Sequence, residues 1–583
     1  MFLHTVGGRA VLLTSGAAGA VLGWLHADWQ WAVEHAQVFA GIVSYPPDSP
    51  VALQHARLWS LIPQIGAVLL RAGVSEMALS KLLSAALGLV SLQAVAMTVY
   101  ALGRDVRIAV GGALVIAAAR AVEFGVVYPI WLYGGPHTYG IAGLSFAVLA
   151  LALVGAGWSR SGAVLVALAP AVHTPIGLWL WLIVAAAVAP SVRAAAASSF
   201  RPAWRYALAG SAVTLASYLA HRVLAPPLPA IDAATAARLF DAFVPFWDAH
   251  RHPPDFRHAG IWITAGGGAV SAVWIVVRRR VLAPGPALLL RAAAIAAAAS
   301  LVLAWLARTP AARPDWFLAA MPGRFVNLSI ALAPALLIGA AASLRASPAR
   351  DLLLAALAAA LLLAPAGSLW PAIDGAPLPG VSVPWTLALG AAGVVLIAIG
   401  TRHRASAPPR AGGVRVVARH VSTLAFAIAA AALAIDGSRA SARHARFRDW
   451  TNDHVFFLAS RGEGPLLTGG DLFLVQLRTR RPVLLDGGTL DTLPYALESG
   501  PAVDRILRDV YGIDLADPPG DAWGGGRVPS RTNERIWRDF SIEKWRAIRR
   551  TYGVTQVLTY GGWQIQLPRA ASNGSLTLYA IPD

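Results

Sequence analysis

The sequence predicts a polytopic α-helical membrane protein of about 13 spans with a C-terminal soluble α/β domain. Hydrophobic residues make up 57% of the 583 residues and charged residues only 13%, whereas charged residues are about 25% of an ordinary soluble domain. The apolar residues fall into many stretches of about 20, the length that crosses a hydrocarbon core of about 30 Å as a helix. Residues 436–583 instead carry 19 basic and 17 acidic side chains, a balance typical of a folded soluble domain.

Charge and cysteine content exclude several classes of protein. The formal net charge is +18, but the excess lies in short loops between apolar stretches, so we expect no nucleic-acid partner. The chain has no cysteine, which excludes disulfides, zinc–thiolate sites and a thiol nucleophile.

Thirteen apolar stretches are predicted to span the membrane. They are residues 9–25, 77–102, 107–125, 140–157, 161–174, 176–192, 203–224, 259–277, 284–306, 324–344, 351–370, 383–401 and 416–435. The first follows Arg9 without a convincing cleavage site and is interpreted as a retained helix. The fifth is short, and Pro170 and Pro175 flank its exit, which predicts a broken or re-entrant element.

Arginine placement predicts the orientation. If the N-terminus is cytoplasmic, the inner loops and adjoining span ends hold 17 basic residues against two acids, Asp105 and Asp351. Cytoplasmic loops are the ones that accumulate Lys and Arg. We therefore expect a multi-pass protein of the bacterial cytoplasmic membrane, in contact with membrane lipids, with its N-terminus inside and its C-terminal domain outside.

The long segments then lie on the outer side. Residues 26–76 form loop one, in which the apolar segment Leu58–Leu70 is expected along the membrane surface. Residues 225–258 form a second outer loop with amphipathic pieces near 233–246. The chain divides into a transmembrane domain, residues 1–435, and an outer domain, residues 436–583.

In the outer domain, short β-type runs alternate with helical stretches, which favours an α/β arrangement. Strands are predicted at Pro465–Thr468, Leu472–Leu477, Pro482–Leu485, Val554–Thr559, Gln564–Leu567 and Leu576–Ile581. Helices are predicted near 439–459, 498–511 and 532–552. No phosphate-binding loop or dinucleotide fingerprint is present.

Two acidic residues follow the first helix. Asp28 comes directly after it, where a carboxylate at the membrane edge could act as a general base on an acceptor hydroxyl. The alternative is a helix cap for a following juxtamembrane helix. Glu34, nearly two turns further on, is a substrate-binding candidate whose alternative is a solvated helix face.

Two histidines are further substrate-binding candidates. His137 lies in a glycine-rich outer loop, for which a simple turn with interfacial aromatic residues is the alternative. His173 lies at the outer end of the irregular fifth span, and polar groups at membrane depth need partners. A histidine with a purely structural role is the alternative there.

Arg324 opens the tenth predicted span at the outer interface. A guanidinium can bind a phosphate with two parallel hydrogen bonds, as a lipid-phosphate substrate would require. Snorkelling of an ordinary interfacial arginine is the alternative. Arg222, near the outer end of the seventh span, is a weaker case of the same kind.

The stretch from Asp28 to about Asp105 resembles the start of the GT-C membrane glycosyltransferases. The resemblance rests on the first helix, the acidic residue outside it, small residues in loop one, a proline-containing loop and the residues before the second long helix. These are Asp28, Ala36, Ala40, Gly41, Tyr45–Pro50 and Gly73–Glu76. In the outer domain, Thr479–Pro482 and Tyr552–Val554 resemble bacterial members less specifically. The order of spans, long outer loops and C-terminal domain also matches that superfamily.

The resemblance implies an inverting transferase that uses a polyprenyl-phosphate-linked sugar. Asp28 would deprotonate the acceptor, and Arg324 with His137 would lie near the donor phosphate. A divalent cation, Mg²⁺ or Mn²⁺, is the cofactor that such a site could use. However, the second acidic motif of some members is missing and Glu34 is only a loose substitute, which leaves metal dependence open.

Three functional readings follow from the sequence. The first is a membrane glycosyltransferase that moves a sugar from a lipid-linked donor to a glycan, lipid or protein acceptor at the outer face. The second is a non-catalytic membrane protein, such as a superfamily relative without activity, whose outer domain binds a glycan or an assembly partner. A transporter is third, because internal repeats and recurrent in-membrane charges are missing.

Overall fold

The computed structural model of the chain is mostly helical. It describes residues 2–120, 125, 126, 128, 130–135, 139–193, 203–225, 227–248, 250–279, 281–309, 315–378, 382–402, 413–444, 453–522 and 526–583. The helices up to His444 are α1 (Phe2–Leu25), α2 (Trp31–Ala40), α3 (Pro50–Arg57), α4 (Leu61–Arg71), α5 (Glu76–Gly103), α6 (Val106–Ala119), α7 (Tyr139–Gly155), α8 (Ser159–Val172), α9 (Thr174–Arg193), α10 (Trp204–Leu224), α11 (Ala233–Phe243), α12 (Ala259–Arg278), α13 (Pro284–Leu306), α14 (Asp315–Ala319), α15 (Val326–Ala342), α16 (Pro348–Leu362), α17 (Leu369–Ile373), α18 (Val383–Arg402) and α19 (Gly413–His444).

Within the described residues, a helix lies at each of the thirteen predicted spans. Six are long and apolar enough to cross a membrane by length and composition, namely Val6–Leu25, Glu76–Gly103, Ala259–Arg278, Pro284–Leu306, Pro322–Ala342 and His420–Ala442. Shorter apolar helices are Leu61–Arg71, Val106–Ala119, Tyr139–Gly155, Ser159–Val172, Thr174–Ala189 and Val383–Ala398. Helices α10 and α16 coincide with predicted spans but belong to neither set. The prediction of a polytopic helical membrane protein is confirmed.

The predicted break in the fifth span is also present. Helix α8 ends at Val172 with Pro170 inside its last turn, and His173 has extended backbone before α9 begins at Thr174. A proline removes one helical hydrogen bond and clashes with the preceding turn. His173 therefore lies at a helix end, where its N–H still donates to the Ala169 carbonyl at 3.0 Å and its carbonyl accepts from the Gly177 N–H at 2.8 Å.

The first and second long helices pack closely. A Cβ atom at Gly19 or Gly23 would collide with the backbone of Gly88 or Ser84 on α5. The spacing of Gly19 and Gly23 is the small-residue pattern that lets membrane helices approach closely. Because α1 and α5 are joined in this way, the end of α1 lies beside the start of α5, where Asp28 and Glu76 are found.

The outer domain is an α/β unit built on a small mixed sheet. Its elements are α20 (His454–Ser460), β1 (Leu466–Thr468), α21 (Val475–Thr479), α22 (Gly487–Asp491), α23 (Gly500–Ile506), α24 (Ser530–Arg538), α25 (Ile542–Tyr552), β2 (Gln556–Tyr560), β3 (Arg569–Ser572) and β4 (Leu576–Ala580). The strand order is β1-β2-β4-β3, with β1 parallel to β2 and both other pairs antiparallel. The predicted α/β class is confirmed.

Three of the six predicted strands are found and three are wrong. Strands β1, β2 and β4 lie where the sequence predicts them. Residues 472–477 run into helix α21, residues 482–485 make only an isolated bridge through Val483, and the strand expected at 564–567 lies at 569–572. Short apolar runs do not distinguish strand from helix by their own pattern. The predicted boundary at residue 435 falls inside α19 and stays a prediction.

The two long outer loops and the outer domain share buried cores. Leu239, Phe243 and Trp247 from the 225–258 loop are packed with residues such as Leu493 and Trp537. Trp29 and Val33 of loop one pack with Leu474 and Leu477 in the same way. The loops and the outer domain therefore form one layer on one side of the helix bundle. Its orientation relative to the membrane stays a prediction.

Candidate functional site

Asp28 lies in a turn that is fixed between α1 and α2. The next polar side chain, Gln30, donates its amide hydrogens to Ser84 Oγ of α5, at 2.9 Å, and to the Gly135 carbonyl, at 3.0 Å. Asp28 itself is half-buried, and its Oδ1 accepts a hydrogen bond from the Trp29 N–H at 2.8 Å. The N-cap of α2 is Gln30, without a side-chain capping bond. The interpretation of Asp28 as the cap of that helix is therefore wrong.

A counter-charge for Asp28 comes from the outer domain. Arg478 on α21 interacts electrostatically with Asp28 and Asp453. Its guanidinium lies over the Phe456 ring, 3.6 Å from the centroid, and its buried Nε has no hydrogen-bond partner among the described residues. Burial lowers the pKa of Arg478 to about 10. Arg478 stays protonated at neutral pH and leaves a donor available next to Asp28.

Glu34 has a different environment from Asp28. Its side chain is only 5% exposed, so the prediction of a solvated face is wrong. Burial, and then the charge of Asp486 in the outer domain, raise the pKa of Glu34 well above its usual value. Burial also raises the pKa of Asp486. Two carboxyls that face each other in a buried site cannot both ionise cheaply.

Amide side chains connect Glu34 to the start of α5. Gln476 on α21 donates to the Glu34 carbonyl at 2.8 Å and to Gln37 Oε1 at 3.2 Å. Gln37 donates in turn to Glu76 Oε1 at 3.2 Å, and Arg480 binds the same Glu76 carboxylate with two hydrogen bonds of 2.7 and 2.8 Å. We call Glu34, Gln37, Glu76, Gln476, Arg480 and Asp486 the Glu34 network. It fastens loop one and α5 to the outer domain.

Two buried histidines lie beside this network. The rings of His35 and His55 are 4.4 Å apart, and His35 contacts Tyr139 Oη and the His55 carbonyl, both at 3.1 Å. Burial lowers the pKa of His55 to about 4, and burial followed by the charge of His55 lowers that of His35. Both rings are therefore neutral near pH 7.

Arg324 lies in a second group of polar and aromatic side chains. It belongs to the 3-10 turn Pro322–Phe325, which leads directly into α15. Its guanidinium faces the Tyr128 ring at 5.0 Å, and its buried Nε has no hydrogen-bond partner among the described residues. Tyr495, Asp491 and Asp248 also interact with it electrostatically. A guanidinium donor in this setting is suited to an anionic ligand.

The side chains around Arg324 come from three separate segments. From the 225–258 loop, Arg251 pairs with Asp248 and lies over the Tyr495 ring at 4.6 Å. His250 is 3.2 Å from Asp491 of α22. We call Tyr128, Asp248, His250, Arg251, Arg324, Asp491 and Tyr495 the Arg324 cluster. It lies where the helix bundle, the 225–258 loop and the outer domain meet.

His173 adjoins the Arg324 cluster. It accepts a hydrogen bond from the Ile176 N–H at its Nδ1, at 3.3 Å, and interacts electrostatically with Arg324. The structure thus brings together two of the five predicted site residues, His173 and Arg324. Asp28 and Glu34 lie in separate environments at the same junction, and His137 lies outside the described residues.

One loop touches both the Asp28 turn and the Arg324 cluster. In the segment between α6 and α7, Tyr128 contacts Arg324, and Val126 exchanges two hydrogen bonds with the Asn327 amide of α15, of 2.7 and 3.1 Å. A few residues later, Gly135 accepts the hydrogen bond from Gln30. This loop connects the surroundings of Asp28 and Arg324 directly.

Sequence reasoning missed four outer-domain residues at the junction. Arg478, Asp486, Asp491 and Tyr495 lie more than 150 residues from the membrane-part side chains that they face. No motif marks them, and only the fold brings them to the junction. Among the described residues, no group of three His, Asp or Glu side chains is arranged to hold a metal ion.

Comparison with known proteins gives one structural similarity. No protein-family model matches the chain, and no curated protein matches it in sequence. Among solved structures, the chain is similar to ArnT from Cupriavidus metallidurans in the apo state, with 14% sequence identity and a TM-score of 0.44. The similarity covers 98% of this chain and 97% of that chain.

Proposed function

We propose that this protein is a glycosyltransferase of the GT-C type in the bacterial cytoplasmic membrane. It would move a sugar from a polyprenyl-phosphate-linked donor to an acceptor at the outer face. The observation that carries the proposal is that one loop touches the surroundings of two separate groups at the junction of the helix bundle and the outer domain. A half-buried carboxylate, Asp28, and a guanidinium with an unsatisfied buried donor, Arg324, are connected there by a single loop.

Arg324 is the group proposed to bind the donor phosphate. It belongs to the turn at the start of the apolar stretch Pro322–Ala342, and lipid phosphates lie outside the hydrocarbon core at the ends of membrane spans. Phosphate oxygens would satisfy the Nε donor that has no partner among the described residues. The nearby Arg251 adds a second positive charge, while Asp248 and Asp491 limit the net charge of the cluster.

Asp28 is the group proposed to accept a proton from the acceptor hydroxyl. No hydrogen bond to its Oδ2 is found in the described part of the chain, so that oxygen is available as a base. The guanidinium of Arg478 interacts electrostatically with this carboxylate. A general base at this position typically contributes a factor of about 10² to 10⁴ in rate.

The proposed reaction balances without another reactant. The acceptor oxygen attacks the anomeric carbon and forms a new C–O bond, while the bond from that carbon to the phosphate oxygen breaks. The hydroxyl proton goes to Asp28, and the polyprenyl phosphate leaves with its negative charge stabilised by Arg324. The attack inverts the anomeric centre because nucleophile and leaving group are on opposite faces.

The described residues do not form a fitting metal site at Asp28. A divalent cation prefers several oxygen ligands, but the partner of Asp28 is the cationic Arg478 and Glu34 faces Asp486 instead. The proposed steps therefore use side chains only.

The test is complementation of a deletion strain with wild type, Asp28→Asn or Asp48→Asn. Lipid-linked sugars and surface glycans are compared by mass spectrometry. Asp48 is an exposed carboxylate of the same loop and serves as the matched control. We expect one glycosyl unit to be lost in the deletion strain, restored by wild type and Asp48→Asn, and not restored by Asp28→Asn present at the same level.

If Asp28→Asn restores the glycan fully, the transferase proposal fails. The non-catalytic alternative predicts that result, together with loss of function when residues 436–583 are deleted. The missing sugar would identify the donor, and the glycan that lacks it would identify the acceptor.

A further inference from the structure

A third group of side chains lies at the carboxyl ends of the two parallel strands of the outer domain. Asp471 and Phe473 follow β1, Tyr560 ends β2, and Arg527 precedes α24. Trp31 of loop one completes the group. We call these five residues the strand-end cluster. The crevice beyond the carboxyl ends of parallel strands is a frequent ligand site in α/β domains.

The aromatic part of the cluster is accessible. The Phe473 side chain is 36% exposed, and its ring lies 5.4 Å from that of Trp31 in an edge-to-face arrangement. The exposed Arg527 guanidinium lies over the same Phe473 ring at 5.6 Å. Gly487 and Gly488 leave room for the two rings, since a Cβ atom there would approach Phe473 or Trp31 within 2.7 or 2.8 Å.

The polar part has unsatisfied groups. Asp471 is half-buried, interacts with the Tyr560 hydroxyl and the Arg527 charge, and has a buried Oδ1 without a hydrogen-bond partner in the described chain. Behind it, Asn533 is 0% exposed. Its Oδ1 accepts the Gly470 N–H at 2.9 Å, while its Nδ2 donors have no partner among the described residues. Buried polar groups are normally satisfied, so these atoms point to a ligand or bound water.

The chemistry of the cluster fits a sugar better than an anion. The charges of Asp471 and Arg527 compensate each other, so the site offers no net positive charge to a phosphate. Together with Tyr560 they supply acceptors and donors of the kind that vicinal hydroxyls need. Aromatic rings such as Phe473 and Trp31 can cover the apolar C–H face of a pyranose.

We propose that the outer domain binds a carbohydrate at the strand-end cluster. The inference does not depend on the transfer reaction at Asp28 and Arg324. Since Trp31 is only three residues from Asp28, the bound glycan would lie beside the turn that carries Asp28. The outer domain would then recognise a glycan through side chains that neither Asp28 nor Arg324 supplies.

The test uses the full chain in detergent and an array of defined bacterial oligosaccharides. The best-retained oligosaccharide is then titrated against wild type, Phe473→Ala, Asp471→Asn and Asp28→Asn. Phe457→Ala is the matched control, because Phe457 is also an exposed phenylalanine of the outer domain, 41% exposed, with an arginine, Arg461, over its ring at 4.9 Å. Thermal unfolding checks that each variant is folded.

We expect at least one oligosaccharide to retain the wild type. Its dissociation constant should rise at least tenfold in Phe473→Ala and Asp471→Asn, and change less than twofold in Phe457→Ala and Asp28→Asn. The proposal is overturned if no oligosaccharide on the array retains the wild type, or if both cluster variants bind it like wild type. Because Asp28→Asn should abolish transfer but keep this binding, failure of one proposal is distinguishable from failure of the other.

Discussion

The Glu34 network and the Arg324 cluster lie at the same junction but handle their charges differently. In the Glu34 network, amide side chains and a two-point ion pair connect loop one, α5 and the outer domain. In the Arg324 cluster, the guanidinium faces an aromatic ring, and its Nε has no partner among the described residues. The ion pair and the amide hydrogen bonds hold the fold together, although Glu34 Oε1 also has no hydrogen-bond partner among the described residues. The unsatisfied donor of Arg324 is suited to an anionic ligand.

The two acidic residues of loop one show the same contrast. Asp28 is half-buried beside the cationic Arg478, and Glu34 is buried beside the acidic Asp486. Burial and the charge of Asp486 thus favour the neutral form of Glu34, whereas the charged group described beside Asp28 has the opposite sign. Closeness in sequence therefore does not make Glu34 a partner of Asp28 in chemistry. The following predictions test that division.

The largest effect is expected for Arg324→Gln. Loss of the guanidinium should lower the transfer rate by about 100-fold or more, because one positioned donor to developing charge is worth about 10² to 10³ in rate. Arg222→Gln, at an exposed site near the end of α10, should leave the rate within about twofold. Transfer to the acceptor is followed in membranes of the complemented deletion strain. Equal transfer rates for the two variants would show that Arg324 does not bind the donor phosphate.

Breaking the ion pair of the Glu34 network should reduce the stability of the fold and leave the transfer rate largely unchanged. Glu76→Gln leaves Arg480 without its carboxylate, and Glu76 is 2% exposed while Arg480 is 50% exposed. We expect a loss of about 1–2 kcal/mol in the free energy of unfolding, between the values for surface and buried pairs. Glu534→Gln, in the more exposed pair with Arg538, should cost less than about 0.5 kcal/mol. Denaturation of the purified chain measures both, and similar costs would contradict the network's role.

Glu34→Gln should change the pH dependence of stability. Because the pKa of Glu34 is raised in the folded protein, the unfolded chain loses this proton first. The stability associated with the protonated Glu34 is complete below its usual pKa of 4.5 and is lost as pH rises through the folded pKa. Glutamine does not titrate, so the melting temperature of the variant relative to wild type should rise between pH 4.5 and 8.5. The Asp48→Asn control should keep a constant difference in melting temperature from wild type over this pH range. The prediction fails if the difference for Glu34→Gln is equally constant.

The smallest effect is expected from removal of divalent cations. The positive charge of Arg478 would repel a divalent cation at Asp28. Glu34 cannot serve as a second ligand there because it faces Asp486. Transfer in membranes treated with EDTA should therefore stay within about twofold of the untreated rate. A larger loss of transfer rate that is restored by Mg²⁺ or Mn²⁺ would show that a cation takes part in the reaction. Asp28 would then be a candidate ligand for that cation.

The sequence predicted helices better than strands. Apolar runs of membrane length have few alternatives to a helix, because all backbone groups must be paired within the hydrocarbon region. The run at residues 472–477 is short and could form either element, and only packing of α21 against loop one decided for a helix. Similarly, the strand expected at 564–567 lies at 569–572, where it pairs with β4.

The candidate site was predicted in part. Asp28 and Arg324 could be singled out because a charged residue at the end of an apolar span is conspicuous in sequence. Arg478, Asp491 and Tyr495 could not, since charged and aromatic residues are common in a soluble domain and nothing local distinguishes them. The reading of Glu34 as a solvated residue failed because its burial depends on the outer domain that covers it.

The sequence by itself determined the apolar helices, the α/β character of the C-terminal part, and the polar residues at the span ends. These follow from hydrophobicity and chain length, which are local properties. The tertiary structure decided which charges face each other. It placed Arg478 beside Asp28, Asp486 beside Glu34 and Tyr495 beside Arg324. The protonation of a buried carboxyl, and the availability of a guanidinium hydrogen-bond donor, depend on such neighbours. These neighbours come from distant segments of the chain, so they meet only after the outer domain has packed on the loops.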